Sequence, residues 1–386
     1  MSELTKLFVF MFTCTALAWI YEHSFVPTLY GPRRSKLIYF LLMALLICYG
    51  GFRGQYNDTW TYRDNYVYTT FCFPEAWDHI PTKLGQSPAF VLVNSFLKTY
   101  DVEVHLYLFF YFFWTTIFFM MFIKRYAAGF TLTIYFFFTT SCYQFNMAAM
   151  KQVMATAICL AAFPLATKRG LRSKILYIFF VLVGASFHVY ALMYLSVFFL
   201  NFKPWTTGTY ALLAGILSGG FLLRPMLGTI IDITTAIGEN YTVESLSGAG
   251  ISFLRIVVVW APVILSFIYQ RELFSDCTPN EQILMHLTMV FAGIQFVGIF
   301  GTALYFGRLS YYFCVMPVIT LPWMLNKITK YNPRDGRLLT ICGIVGYFFF
   351  FYFSNTLETN YNESYAAISL IKFIDYLVTW IRNLTV

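Results

Sequence analysis

Residues 37–66 read LIYFLLMALLICYGGFRGQYNDTWTYRDNY: an apolar run to Tyr49, then glycines, arginines, acids and tyrosines crowded between Gly50 and Tyr66. Apolar runs of about 17–20 residues have the length to cross a hydrocarbon core of roughly 30 Å. Such runs recur along the chain, so the polar stretch that follows this one is expected at a membrane surface. Glycines allow unusual backbone conformations and close approach to a ligand. Arginine forks and a carboxylate supply an anion clamp and a base. The plainer alternative is a solvated connector rich in turn residues.

Composition agrees. Of 386 residues, 59% are hydrophobic, 21% aromatic and only 11% charged, far from the balance of a soluble domain. The chain is therefore expected to be an all-α polytopic membrane protein, with about 11–13 transmembrane or half-spanning helices in one integral membrane domain over 1–386. The first apolar run, 4–21, has no small-residue cleavage pattern behind it and is read as retained. The net charge of +8 gathers in short connectors, as the positive-inside rule expects of cytoplasmic loops. It does not call for nucleic acid. The cysteines are scattered through apolar runs without metal-ligand spacing, so neither a zinc site nor a disulfide framework is expected.

Alternating sides at each span, with Arg33, Arg34 and Lys36 inside, puts 53–103 outside as a first periplasmic segment and 224–252 outside as a second. The run 175–201 is long for one helix. It is expected to break near Gly184-Ala185-Ser186-Phe187-His188 into two short halves, which keeps the basic connector of Lys327, Lys330, Arg334 and Arg337 on the inner side. His188 then sits at a helix break within the membrane, where an ionisable group suggests function. Lys151 and Gln152 open an inward-going helix near the outer surface, where the helix dipole adds to the lysine's pull on an anion. The end of the chain, 366–381, carries Lys372 and Asp375 and is either a further span or an interfacial helix.

On this topology Arg53, Asp58, Arg63, Lys151, Arg255 and Arg308 face one side. Converging cations at headgroup depth suit a lipid-borne diphosphate, which forked guanidinium groups bind through paired hydrogen bonds. No D-x-D pair, Walker loop, H-E-x-x-H or G-x-S-x-G stands in a convincing context, and no metal or cofactor is expected.

Gly51-Phe52-Arg53 with Asn57-Asp58 and Tyr62, then Asn146 to Gln152, then Phe187-His188-x-x-Ala191-Leu192, then Arg308-x-x-Tyr311-Tyr312 resembles, in order and spacing, the EpsG-like polysaccharide polymerases, which group with the Wzy-type O-antigen polymerases. The family pattern has arginine where this chain has Lys151 and glycine where it has Asn57. The resemblance implies a GT-C-like glycosyltransferase of the bacterial inner membrane, facing the periplasm, that joins undecaprenyl-diphosphate-linked repeat units by inverting transfer. A chain-length regulator and a flippase are its implied companions, beside membrane lipid. On this basis Asp58 is the expected base, with His188, Glu239 and Glu244 as rivals. Arg53, Arg63, Tyr62, Asn146, Lys151, Gln152, Arg255, Arg308 and Tyr311 are expected to hold diphosphate and sugar. Two other functions fit parts of the pattern. A flippase or transporter of lipid-linked oligosaccharide would use a basic lumen but predicts symmetry between halves; a membrane acyltransferase acting on surface glycans would use His188 as base.

Overall fold

The computed structural model describes residues 1–26, 33–239, 242 and 250–384. It is built almost wholly of helices, as an apolar chain must be when water cannot satisfy its backbone. Among the described residues, three helices are long and apolar enough to cross a membrane by length and composition: α1 (Glu3–His23), α5 (Val104–Tyr126), and the last long helix, which begins at Pro333. Two bent pairs raise this to as many as five, Thr207–Leu222 with Pro225–Ala236 at 99° and Tyr305–Phe313 with Val315–Tyr331 at 52°. Shorter apolar helices fill in around them, including Lys36–Gly51 (α2), Phe130–Thr139 (α6), Met150–Ala166 (α8) and Phe253–Ile268 (α11). Besides short helical turns such as Ala76–His79, Gln270–Phe274 and Tyr361–Ser364, the other helices are α3 (Thr59–Asp64), α4 (Pro88–Thr99), α7 (Cys142–Ala148), α9 (Leu171–Phe187), α10 (Thr207–Ala236), α12 (Pro279–Val297), α13 (Ala303–Ser310), α14 (Val315–Tyr331), α15 (Pro333–Phe353) and α16 (Leu370–Leu384). The protein is an all-α polytopic membrane protein.

Breaks in these helices do most to shape the site. α6 stops at Thr139, Ser141 takes a left-handed φ of 60°, and α7 restarts at once. α9 ends at Phe187, His188 is extended, and a 3₁₀ run continues over Val189–Phe199. The break thus falls at His188. α10 carries helix through 224–236, within the second expected outer segment, and turns beside Pro225, which lacks the N–H that would continue the ladder.

Gly50 and Gly51 belong to the last turn of α2, not to a ligand loop. A Cβ on Gly50 would lie 2.2 Å from the Phe112 ring, and one on Gly51 2.6 Å from Phe109. Glycine is required here for helix packing. Beyond α2, the short strand Arg53–Gln55 pairs antiparallel with the strand at Ala366–Ala367, tying the start of the polar segment to the end of the chain. Residues 65–103 fold into a π turn, short helical turns and α4.

α16 is amphipathic, with Lys372, Asp375 and Arg382 among apolar residues. Its Phe373 ring lies 4.5 Å from Phe52 and 4.8 Å from Phe109, and Trp380 Nε1 donates to the Tyr100 carbonyl at 2.8 Å. Such a helix suits a membrane interface.

Candidate functional site

Arg308 stands at the centre. It lines three adjoining cavities, and its guanidinium is 2.6 Å from the Asp58 carboxylate. The separate motif segments meet around it. Gln152, in the first turn of α8, donates to the Arg308 carbonyl at 2.6 Å. Tyr312 Oη lies 2.6 Å from His188 Nδ1, which fixes the imidazole exposed by the α9 break. Phe145 and Tyr311 stack with centroids 4.1 Å apart.

The first cavity, about 190 Å³, is walled by Tyr62, Lys151, Gln152, His188, Glu239 and Arg308, with Tyr190, Tyr305 and Tyr312. Lys151 is the second residue of α8, so its ammonium and the helix N-terminus act in the same place. Lys151 has no ion pair among the described residues. Glu239 is half-buried there. Burial raises its pKa above the ordinary carboxylate value, and Lys151 partly offsets the rise. The second cavity, about 630 Å³, shares Tyr62, Lys151 and Arg308 with the first, adds Asp58, and is otherwise lined by neutral groups such as Asn65, Gln86 and Asn94. The third, about 220 Å³, lies toward Arg255, Tyr311, Gln144 and Asn57.

Several expected site residues do other work. Arg53 does not flank Asp58. It is fully buried, donates to the Gly50 carbonyl at 2.7 Å and to Thr59 Oγ1 at 3.4 Å, and faces the Phe112 ring; it braces the chain where α2 ends. Arg63 likewise donates to the Gly54 carbonyl at 2.8 Å. The cation beside Asp58 is Arg308, distant in sequence. Asn146 is buried and absent from the walls of the three cavities. Arg255 pairs with Glu358 at 2.5 Å. Glu244 lies outside the described residues.

Asn57 adopts a φ of 48°. That left-handed conformation favours glycine and tolerates asparagine, which explains why either residue serves before Asp58. The EpsG family model matches residues 36–370, most of the chain. The chain belongs to the EpsG family. No curated protein and no solved structure matches it.

In this EpsG-family chain, no three His, Cys, Asp or Glu side chains lie together as a metal-binding group among the described residues. Wall residues missed from sequence include Tyr190, Tyr305, Gln144, Ser141 and Ser354. They come from separate elements, so no spacing pattern links them. An apolar cavity of about 700 Å³ lies between α4, α5 and α16, walled by Phe96, Tyr100, Phe110, Trp114, Leu377 and Trp380.

Proposed function

We propose that this protein is a membrane polysaccharide polymerase, a glycosyltransferase that joins undecaprenyl-diphosphate-linked repeat units on the periplasmic face of the bacterial inner membrane. One observation carries this: Lys151, at a helix N-terminus and with no ion pair among the described residues, shares a cavity with Arg308, His188 and Glu239. EpsG-family membership supports the glycosyltransferase class, and the apolar cavity offers room for part of a lipid chain. The single membrane domain and the two outer segments, 53–103 and 224–252, belong to this proposal, as do the chain-length regulator and flippase as companions.

In the reaction, an acceptor sugar hydroxyl attacks the donor anomeric carbon. The C–O bond to the lipid diphosphate breaks, and the hydroxyl proton passes to a base. Lys151 and Arg308 take the charge that develops on the leaving diphosphate. Asp58, joined to Arg308, is best placed to hold that guanidinium. We assign the base to Glu239, whose burial makes it the better proton acceptor and which lines the same cavity. His188, held by Tyr312, remains its rival.

Reconstitution with a synthetic lipid-linked repeat unit tests the proposal. Wild type should yield polymer. Lys151→Ala should lose most of it, on the order of a hundredfold, while Lys151→Arg retains a measurable part, since charge is kept and side-chain geometry changes. Translocation of the lipid without polymer, or acylated monomer, would replace this function with another.

A further inference from the structure

We propose that the cavity between Arg255 and Arg308 is a binding pocket for one uncharged sugar ring of the lipid-linked saccharide. It lies across Arg308 from the cavity that holds Lys151, and Lys151 is not in its wall. Its two guanidiniums are already matched by carboxylates, Arg308 by Asp58 at 2.6 Å and Arg255 by Glu358 at 2.5 Å. Arg255 is thus neutralised, and with Lys151 outside the wall this side of Arg308 offers a phosphate less free charge than the first cavity does.

What remains unmatched is neutral or one-sided. Gln144 is 2% exposed, and among the described residues neither its amide nitrogen nor its amide oxygen has a partner; Ser141 Oγ, Ser354 Oγ and Arg255 Nε are unpartnered there too. All four residues line this cavity. Buried polar atoms are nearly always hydrogen-bonded, so this cluster calls for an occupant. The Gln144 oxygen needs a donor and its nitrogen an acceptor. Ionised phosphate oxygens only accept, whereas hydroxyls do both. The amide is closed off from water as it stands, so a small turn toward the cavity would let ligand hydroxyls satisfy both of its atoms. The stacked Phe145–Tyr311 pair adds an aromatic wall against which a ring's apolar face can rest. A volume of about 220 Å³ suits a single ring rather than a chain of them. Ser141 and Gln144 are placed by the left-handed turn between α6 and α7, and Ser354 by the end of α15. The identity of the ligand as a lipid-linked saccharide rests on the polymerase proposal; the pocket's preference for hydroxyls over phosphate does not.

Calorimetry on the full chain in phosphatidylcholine nanodiscs tests this with two probes, inorganic diphosphate and the oligosaccharide released by mild acid from the lipid-linked pool of polymer-producing cells. Gln144→Leu should weaken oligosaccharide binding about tenfold while leaving diphosphate binding unchanged. Its thermal midpoint should not fall, because an unsatisfied amide is replaced by an apolar group of similar shape. Ser354→Ala, a smaller change, should weaken the oligosaccharide alone, by about threefold. Unchanged oligosaccharide affinity in both variants overturns the pocket. So does loss of diphosphate affinity in either variant, which would make it an anion site. If Gln144→Leu does not fold, Ser354→Ala decides. Wild type that binds diphosphate and makes polymer but is indifferent to Gln144→Leu and Ser354→Ala refutes the sugar pocket alone. Gln144-dependent oligosaccharide binding in a protein that makes no polymer refutes the polymerase and keeps the pocket.

Discussion

Glu239 is a carboxylate whose charged form is disfavoured by burial, and two consequences follow from the sign of that shift. As a base it must be ionised, so turnover should fall on the acid side at a pH above the ordinary glutamate value of about 4.3. Glu239→Gln should abolish this limb and cost on the order of a hundredfold in kcat. For stability, a raised folded-state pKa means that the protonated form is favoured on folding. Its contribution is present at low pH and lost as pH rises through that pKa. Glutamine, which cannot ionise, should therefore match or raise the thermal midpoint at pH 7, with the difference vanishing at low pH. Near-normal turnover, or a lowered midpoint at pH 7, would return the base to Asp58 or His188.

The end of α2 depends on close approach. Gly50 faces the Phe112 ring, and the same ring lies 5.2 Å beneath the Arg53 guanidinium. A methyl group at Gly50 would push the ring, the ring would push Arg53, and Arg53 holds the Gly50 carbonyl and Thr59. Gly50→Ala should thus destabilise by about 1–3 kcal/mol through overpacking, read as a lowered thermal midpoint, and should loosen the loop that carries Asp58. A midpoint equal to wild type would show that Phe112 moves freely and that Arg53 is not locked by it.

Opposite ends of the molecule have different chemistry. At one, Arg34 lies over the Tyr21 ring, Lys124 over Tyr39, and Glu22 accepts from the Phe130 and Thr131 backbone. At the other, the Leu4 N–H donates to Asn362, Tyr49 meets Tyr361, and the strand Arg53–Gln55 pairs with the strand at Ala366–Ala367. α14 runs from beside Tyr312 to Tyr331, about 25 Å at 1.5 Å per residue, so Lys330 is a helix length from Asn57. In a variant stripped of native cysteines, a cysteine at Asn57 should react with an impermeant maleimide from the periplasm, and one at Lys330 only from the cytoplasm. Labelling of both from the same side would overturn the proposed orientation.

Membrane class and the break at His188 were legible in the sequence because they depend on local quantities: apolar length, charge in connectors and an interrupted apolar run. The place of Lys151 at a helix start was legible for the same reason. Partner choice did not. Arg53 and Arg63 stand near Asp58 in sequence, yet folding buries Arg53 against Phe112, turns Arg63 to the Gly54 carbonyl, and brings Arg308 to Asp58. Gly50 and Gly51 looked like loop residues until packing against Phe112 and Phe109 explained them. The cavity of Gln144, Ser141 and Ser354 had no sequence signature at all, because its walls come from α7, from the turn before it and from the end of α15. Hydropathy is additive along a chain, whereas a site depends on which side chains from distant segments share one cavity. Only the packing of the helices decides that.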